Sequence, residues 1–225
     1  MQLEVLYEDN HAIVVRKPAG VLVQGDASGD TPLLDEVKKY LKAHYNKPGN
    51  VFVGLVHRLD RPVEGVILFA KTSKGAARFS EQFREHTTEK IYHAVVVGEP
   101  KKKSDTLVHF LRKREDEVTA VIFDESGPDT QHAELAYEIV EAGKKYSLLR
   151  IILKTGRAHQ IRAQFSHIGH PIVGDTKYGG PHSQFISRNA IALAATQLTF
   201  AAATMAERVT VSSPIPKKWF ELIAS

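Results

Sequence analysis

The sequence predicts an α+β fold on a largely antiparallel sheet, because strand-like runs outnumber helical ones and follow one another at hairpin spacing. Of its 225 residues, 43% are hydrophobic and 25% charged, the proportions of an ordinary globular domain rather than of a disordered or fibrous chain. One domain over residues 1–225, large enough to bury its own core, is the expectation.

In chain order, Leu3, Val5 and Tyr7 alternate, and Ala12 to Val15 follow a turn-like Glu8-Asp9-Asn10, giving two short strands closed by Lys17-Pro18-Ala19-Gly20. Asp30-Thr31-Pro32 reads as a cap with a first-turn proline. Leu33, Leu34, Val37, Tyr40 and Leu41 then carry a helix to about His44. Val51 to Val56 and Gly65 to Ala70 are β-branched runs around a charged loop, and Ser73 can cap a helix through His86. A strand over Ile91 to Val97 ends at Gly98. Lys101 to Asp129, with Lys101-Lys102-Lys103 and Arg112-Lys113-Arg114-Glu115-Asp116-Glu117, then resembles an exposed hairpin and loop. Leu135 to Val140 and Ser147 to Leu153 form a strand pair, followed by a helix from Ala158 to Ile168. Strands over Ala190 to Phe200 and Arg208 to Val211 and a last helix near Lys217 to Phe220 complete the chain.

With no cysteine, the chain has no disulfide framework, thiolate nucleophile, Cys-ligated zinc or iron–sulfur cluster, which makes the cytoplasm the natural compartment. The first residues are acidic where a secretory signal needs basic ones, and Ala190 to Ala206 is too polar for a membrane span. Thirty basic against 26 acidic residues give a net charge of +4, which permits a polyanionic partner without demanding one.

Two clusters can carry chemistry. His57-Arg58-Leu59-Asp60-Arg61-Pro62 sets one carboxylate between two arginines where a strand ends. Such neighbours favour the ionised form a nucleophile or base needs, although a structural salt bridge uses the same residues. Lys154 to Arg162 places Gly156 at a turn and opens a helix carrying Arg157, His159, Gln160 and Arg162, a start that attracts anions or presents a solvated basic face. His159, His167 and His170 lack metal-ligand spacing, and there is no Gly-x-Ser-x-Gly elbow, P-loop or dinucleotide fingerprint.

Three blocks in order resemble the RluA-type pseudouridine synthases: His57 to Pro62 with Gly65; Lys90-Ile91-Tyr92-His93-Ala94-Val95-Val96-Val97-Gly98; and Thr155 to Arg162 with His170-Pro171-Ile172-Val173-Gly174-Asp175. Lys17 to Gly20 and Ser213-Pro214-Ile215-Pro216 extend the resemblance over nearly the whole chain. It implies an enzyme that isomerises uridine in ribosomal or transfer RNA to pseudouridine without cofactor or metal, on an extended, mostly antiparallel mixed sheet with flanking helices and a central RNA-binding cleft. By resemblance Asp60 is nucleophile at the anomeric carbon or base at the 2′ position. Tyr92 stacks on the uracil, Arg162 pairs with Asp60, and Arg58 fills the gap left by the flipped base. His57, Arg61, Arg157, His159 and Gln160 join the RNA-binding set. With the catalytic motif reached by residue 57, no N-terminal S4 domain is expected, so recognition falls to loops such as 101–114, and a monomer is expected. The chain departs from the family in Val63-Glu64-Gly65, where Glu64 adds a carboxylate expected to point away from the cleft. It departs again in Leu193-Ala194-Ala195 and Ala201-Ala202, where relatives often carry histidines. A lapsed enzyme that binds RNA without turnover would carry the same motifs.

Overall fold

A computed structural model describes residues 2–113, 119–204 and 207–225. Arg114 to Glu117 of the basic hairpin and the last two residues of the 190–206 stretch lie outside the described residues. In chain order the elements are β1 (Glu4–Glu8), β2 (Ala12–Lys17), α1 (Leu33–His44), β3 (Gly54–Leu55), β4 (Glu64–Ala70), α2 (Ser73–Arg84), β5 (Glu89–Val97), β6 (Ser104–Lys113) and β7 (Ala120–Phe123). Then come β8 (Gln131–Ala142), β9 (Tyr146–Leu153), α3 (Gln160–His167), a 3₁₀ turn (Thr176–Tyr178), β10 (Leu193–Ala201), β11 (Arg208–Ser212) and α4 (Lys218–Ala224). Strand-rich with four helices among the described residues, the chain has the α+β architecture its sequence predicts.

Two compact units divide it, one of Met1–Glu89 with Ala195–Ser213, the other of Lys90–Ala194 with Pro214–Ser225. In the first, β2 pairs antiparallel with β1 and β4, β3 pairs antiparallel with β4, and β11 with β10. Ala12 to Val15 have no exposure, so β2 is covered on both faces and shows a continuous apolar run rather than alternation. Phe79 of α2 meets Phe200 of β10 edge to face at 5.6 Å, inside a core with Val14, Val66, Leu68 and Leu198. Burying each such side chain contributes about 1.5–3 kcal/mol. Gly65, at φ 122°, lies where an added Cβ would stand 2.1 Å from the Ala195 carbonyl oxygen, so only glycine lets β4 begin there.

In the second unit β5, β9, β8, β6 and β7 follow one another in that order, each pair antiparallel. Phe165 of α3 sits edge to face on Tyr137 of β8 at 5.5 Å. α4 buries Trp219, Leu222 and Ile223.

Several boundaries differ from expectation for local reasons. Pro32 itself holds the N-cap of α1, without a side-chain cap, because Asp30 is engaged by Arg61. Thr72 rather than Ser73 caps α2, its oxygen accepting from the Gly75 N–H at 3.0 Å, and His86 at φ 56° lies past the helix end. The expected strand over Val51 to Val56 shrinks to Gly54–Leu55. Although β6 belongs to the expected hairpin, Leu107, His109 and Leu111 are buried, so one face of it is core. The left-handed backbone of His159 delays the start of α3 from Ala158 to Gln160.

Candidate active site

In the first unit Asp60 lies half-buried in the loop between β3 and β4, pinned on both sides by buried Leu59 and Val63. Its carbonyl accepts the Val63 N–H at 3.0 Å, closing a tight turn. The loop is held from beneath by Lys17, which has no solvent exposure. Its Nζ donates to the carbonyls of Pro18 at 3.0 Å, Val21 at 2.7 Å and Arg61 at 2.9 Å, one acceptor for each N–H of an ammonium. Gly20 N–H reaches the same Arg61 carbonyl at 2.8 Å, and Arg61 Nε returns to the Gly20 carbonyl at 3.0 Å. Two loops are thereby laced together next to Asp60. Lys17 was legible in the sequence only as part of a turn; that a lysine should be fully buried follows from its three carbonyls, which lie in two separate segments.

Burial pushes the Lys17 pKa down to about 7, against the pull of the Asp60 and Glu64 carboxylates and aided by Arg61. In the unfolded chain it returns to 10.5. Below about pH 7 both states hold the proton and the full burial cost is present. From there to 10.5 only the unfolded chain holds it, so stability rises with pH. Chemical denaturation between pH 7 and about 9.5 is therefore expected to show a gain of roughly 3 kcal/mol, at 1.36 kcal/mol per unit. In Lys17→Met the gain should shrink to the share from Lys90, whose pKa burial also lowers. The window stops short of pH 10, where the raised pKa values of Tyr7, Tyr40 and Tyr137 begin to oppose it. A flat wild-type profile would contradict burial of the ammonium.

The residues around Asp60 divide by what they touch. His57 Nε2 accepts the Leu68 N–H at 3.0 Å and its ring stacks on Phe83 at 4.3 Å, which builds it into the scaffold. Arg61, exposed, bonds Asp30 as well as Gly20. Arg58 is exposed. Glu64, the added carboxylate, accepts from Arg16 Nη2 at 3.0 Å, so its charge is met by a partner on β2.

In the second unit Tyr92 lies on β5 opposite Ile151 of β9 and is 9% exposed. Arg162 lies on α3, 4% exposed, with Asp175 at 1%. The Asp175 carboxylate takes Arg162 Nε at 2.7 Å and Nη2 at 2.8 Å, a bidentate pair, and the guanidinium carbon stands 5.1 Å from the centre of the Tyr178 ring. The sequence reading gave Arg162 only Asp60 as partner. Asp175, the last residue of the His170 to Asp175 block, is the partner the structure adds, thirteen residues on from Arg162.

Gln160 is 2% exposed and turned inward. Its Oε1 accepts from Thr155 Oγ1 at 2.8 Å and Arg157 N–H at 3.1 Å, and its Nε2 donates to the Glu134 carbonyl at 3.1 Å. It therefore shapes the turn that presents Arg157 and His159. Arg157 is anchored through Nε to the His132 carbonyl at 2.9 Å, and His159 Nδ1 lies 3.0 Å from the Tyr178 hydroxyl.

Among the described residues one group has metal-ligand composition, His109, Asp124 and His167, with ligand atoms within 4.8 Å of one another. The Gln164 amide nitrogen faces His109 Nδ1 at 3.0 Å, and its oxygen is taken by Gln160. That orientation favours the His109 tautomer protonated on Nε2, the nitrogen turned to Asp124, whereas a metal there needs it bare. The hydrogen-bonding pattern thus fits a polar contact between α3 and the loop after β7 better than a cation.

The family model for RNA pseudouridylate synthase matches residues 11–167, a span that holds Asp60, Tyr92 and Arg162. The chain belongs to that family. Its members convert uridine in RNA to pseudouridine, and the chain is accordingly an isomerase. It is 34% identical to the tRNA pseudouridine synthase C of Haemophilus ducreyi over 97% of this chain and 93% of that one. It is 35% identical to the ribosomal large subunit pseudouridine synthase C of Buchnera aphidicola over 78% of this chain and 54% of that one. Among solved structures, human RNA pseudouridylate synthase domain containing 4 superposes with a TM-score of 0.80 over 96% of this chain and 90% of that one, at 22% identity, a likeness of fold. No helix among the described residues is long and apolar enough to cross a membrane.

Proposed function

We propose that this RNA pseudouridylate synthase modifies a uridine in transfer RNA, with Asp60 as the reacting carboxylate and Tyr92 and Arg162 serving the same reaction within a single catalytic domain. The observation that carries the reading is the lacing of the Asp60 loop by buried Lys17. A lone carboxylate that must act without a second one has to be fixed in position, and a buried ammonium bonded to three carbonyls fixes its loop. Preference for transfer RNA rests on the relatives: the tRNA enzyme of Haemophilus ducreyi is matched over nearly its whole length, the ribosomal enzyme of Buchnera aphidicola over about half.

The glycosidic bond and carbon 5 are shielded while a uridine is stacked, so the target is extruded at a cost of about a few kcal/mol, least for an unpaired loop base. Arg58, exposed beside Asp60, fills the gap the base leaves. Tyr92 receives the uracil face. The Asp60 carboxylate either attacks the anomeric carbon and displaces uracil as its anion, or takes the 2′ proton to expel it. Uracil turns, its carbon 5 bonds the anomeric carbon as the carboxylate leaves or the 2′ proton returns, and the carbon-5 proton passes to solvent while N1 takes one up. Arg162, immobilised by Asp175, supplies a fixed positive charge. Arg157 and His159 engage the RNA backbone. His57, Arg61 and Gln160, which their own contacts turn into the scaffold, hold the loops that do so.

The test is release of tritium from unmodified transfer RNA labelled at uridine carbon 5, with no metal or cofactor added. Stoichiometric release from one loop uridine is the expected result. RNA that is bound but releases nothing would replace this reading with a lapsed, RNA-binding descendant of the enzyme.

A further inference from the structure

Lys90 begins the second unit on β5, two residues before Tyr92, and strand alternation puts both side chains on the same face, about 7 Å apart along the strand. Lys90 is 8% exposed. Among the described residues no carboxylate, carbonyl or other acceptor is paired with it, and burial alone lowers its affinity for a proton. Lys17, the other buried lysine among the described residues, makes the contrast clear, because each of its N–H groups has a carbonyl. Thr88 Oγ1, not Lys90 Nζ, is the described side-chain atom sealed without a partner. The Lys90 ammonium therefore reaches the surface on a mostly buried stem, where an arriving anion can meet it and offset the cost of holding a charge with so little water around it. An apolar side chain of similar length would fill the same space without that cost.

We infer that Lys90 is an anion-binding residue for an RNA phosphate, placed beside Tyr92 to hold the backbone of the nucleotide whose base that tyrosine receives. The inference rests on the proposed reading of Tyr92. A phosphate fits the requirement because each nucleotide that enters brings one negative charge. It accepts from an ammonium at short range, and the low exposure of Lys90 strengthens the contact. A lysine exposed along its whole length would contribute diffuse attraction; one whose stem is buried and whose tip alone reaches the surface contributes a contact at a defined place. Lys90 is thereby distinguished from the exposed lysines at 101–103.

The experiment measures equilibrium binding of unmodified transfer RNA to the wild type, Lys90→Met and Lys90→Gln across a salt series, with thermal unfolding of each protein alone. Both variants are expected to bind about tenfold more weakly, with the slope of log K against log salt reduced by roughly 0.7 to 1, the share of one phosphate. Unfolding of Lys90→Met is expected at the wild-type temperature or above it, since a largely buried charge that burial disfavours has gone. A purely structural lysine would instead lower the unfolding temperature in both variants and leave the salt slope alone, and that result overturns the inference. So does wild-type affinity and slope in Lys90→Gln, a variant that keeps a polar tip and decides the matter should Lys90→Met fold poorly. Tritium release by the wild type on the same RNA judges the synthase reading separately, because the binding comparison needs no turnover.

Discussion

Asp60→Asn is expected to lower tritium release by about 10³-fold or more while RNA affinity stays within roughly threefold. The substitution keeps the size of the side chain and the turn in which the Asp60 carbonyl accepts from Val63, so the loop has no steric reason to move. It removes the charge and with it both routes to bond cleavage, since an amide neither attacks the anomeric carbon nor takes a proton at neutral pH. Affinity survives because the groups proposed to contact phosphate, among them Arg157 and Lys90, belong to other segments. One side effect is expected. The Asp60 carboxylate favours the ammonium of Lys17, so the Lys17 pKa should fall further in Asp60→Asn and the rise of stability with pH should begin lower. A variant that keeps substantial turnover would remove Asp60 from the reaction. One that loses binding in step with turnover would make it a binding residue.

The blocks that carry the proposed site are legible because each is short and contiguous, with an identifiable turn or strand next to it. The body of the first helix, Leu33–His44, is likewise legible from the spacing of its apolar positions, which fall on one stripe. The partners of the motif residues were harder to see. Lys17 and Arg61 are 44 positions apart, Arg16 and Glu64 are 48 apart, and neither pairing leaves a local trace that spacing could reveal. Gln160 and His57 read as polar groups available to RNA because sequence gives residue type and not direction. Only the folded chain shows one closing a turn and the other accepting a strand amide. Caps failed for a similar reason: Asp30 is a good capping residue by type, but Arg61 takes it first.

Asp175→Ala is expected to be strongly destabilising, by about 3–5 kcal/mol, because it takes the bidentate carboxylate from a buried guanidinium. For a chain of this size that corresponds to an unfolding temperature lower by roughly 6–20 °C. Tyr178 keeps its place over the Arg162 guanidinium and offsets part of the loss, about 1 kcal/mol. Arg162→Met alone should cost a similar amount, leaving a carboxylate at 1% exposure without its partner. The double variant Arg162→Met with Asp175→Leu separates the two meanings of the pair. Two apolar side chains in that space need neither charge nor hydrogen bond, so stability should return to within about 1–2 kcal/mol of the wild type. Activity should not return with it, because the fixed cation is gone. Recovery of stability without turnover would assign the pair to the reaction and show that the fold does not depend on it. Wild-type stability in Asp175→Ala would mean that Arg162 reaches water or another acceptor as soon as the carboxylate is removed, and its orientation would then have to come from Tyr178.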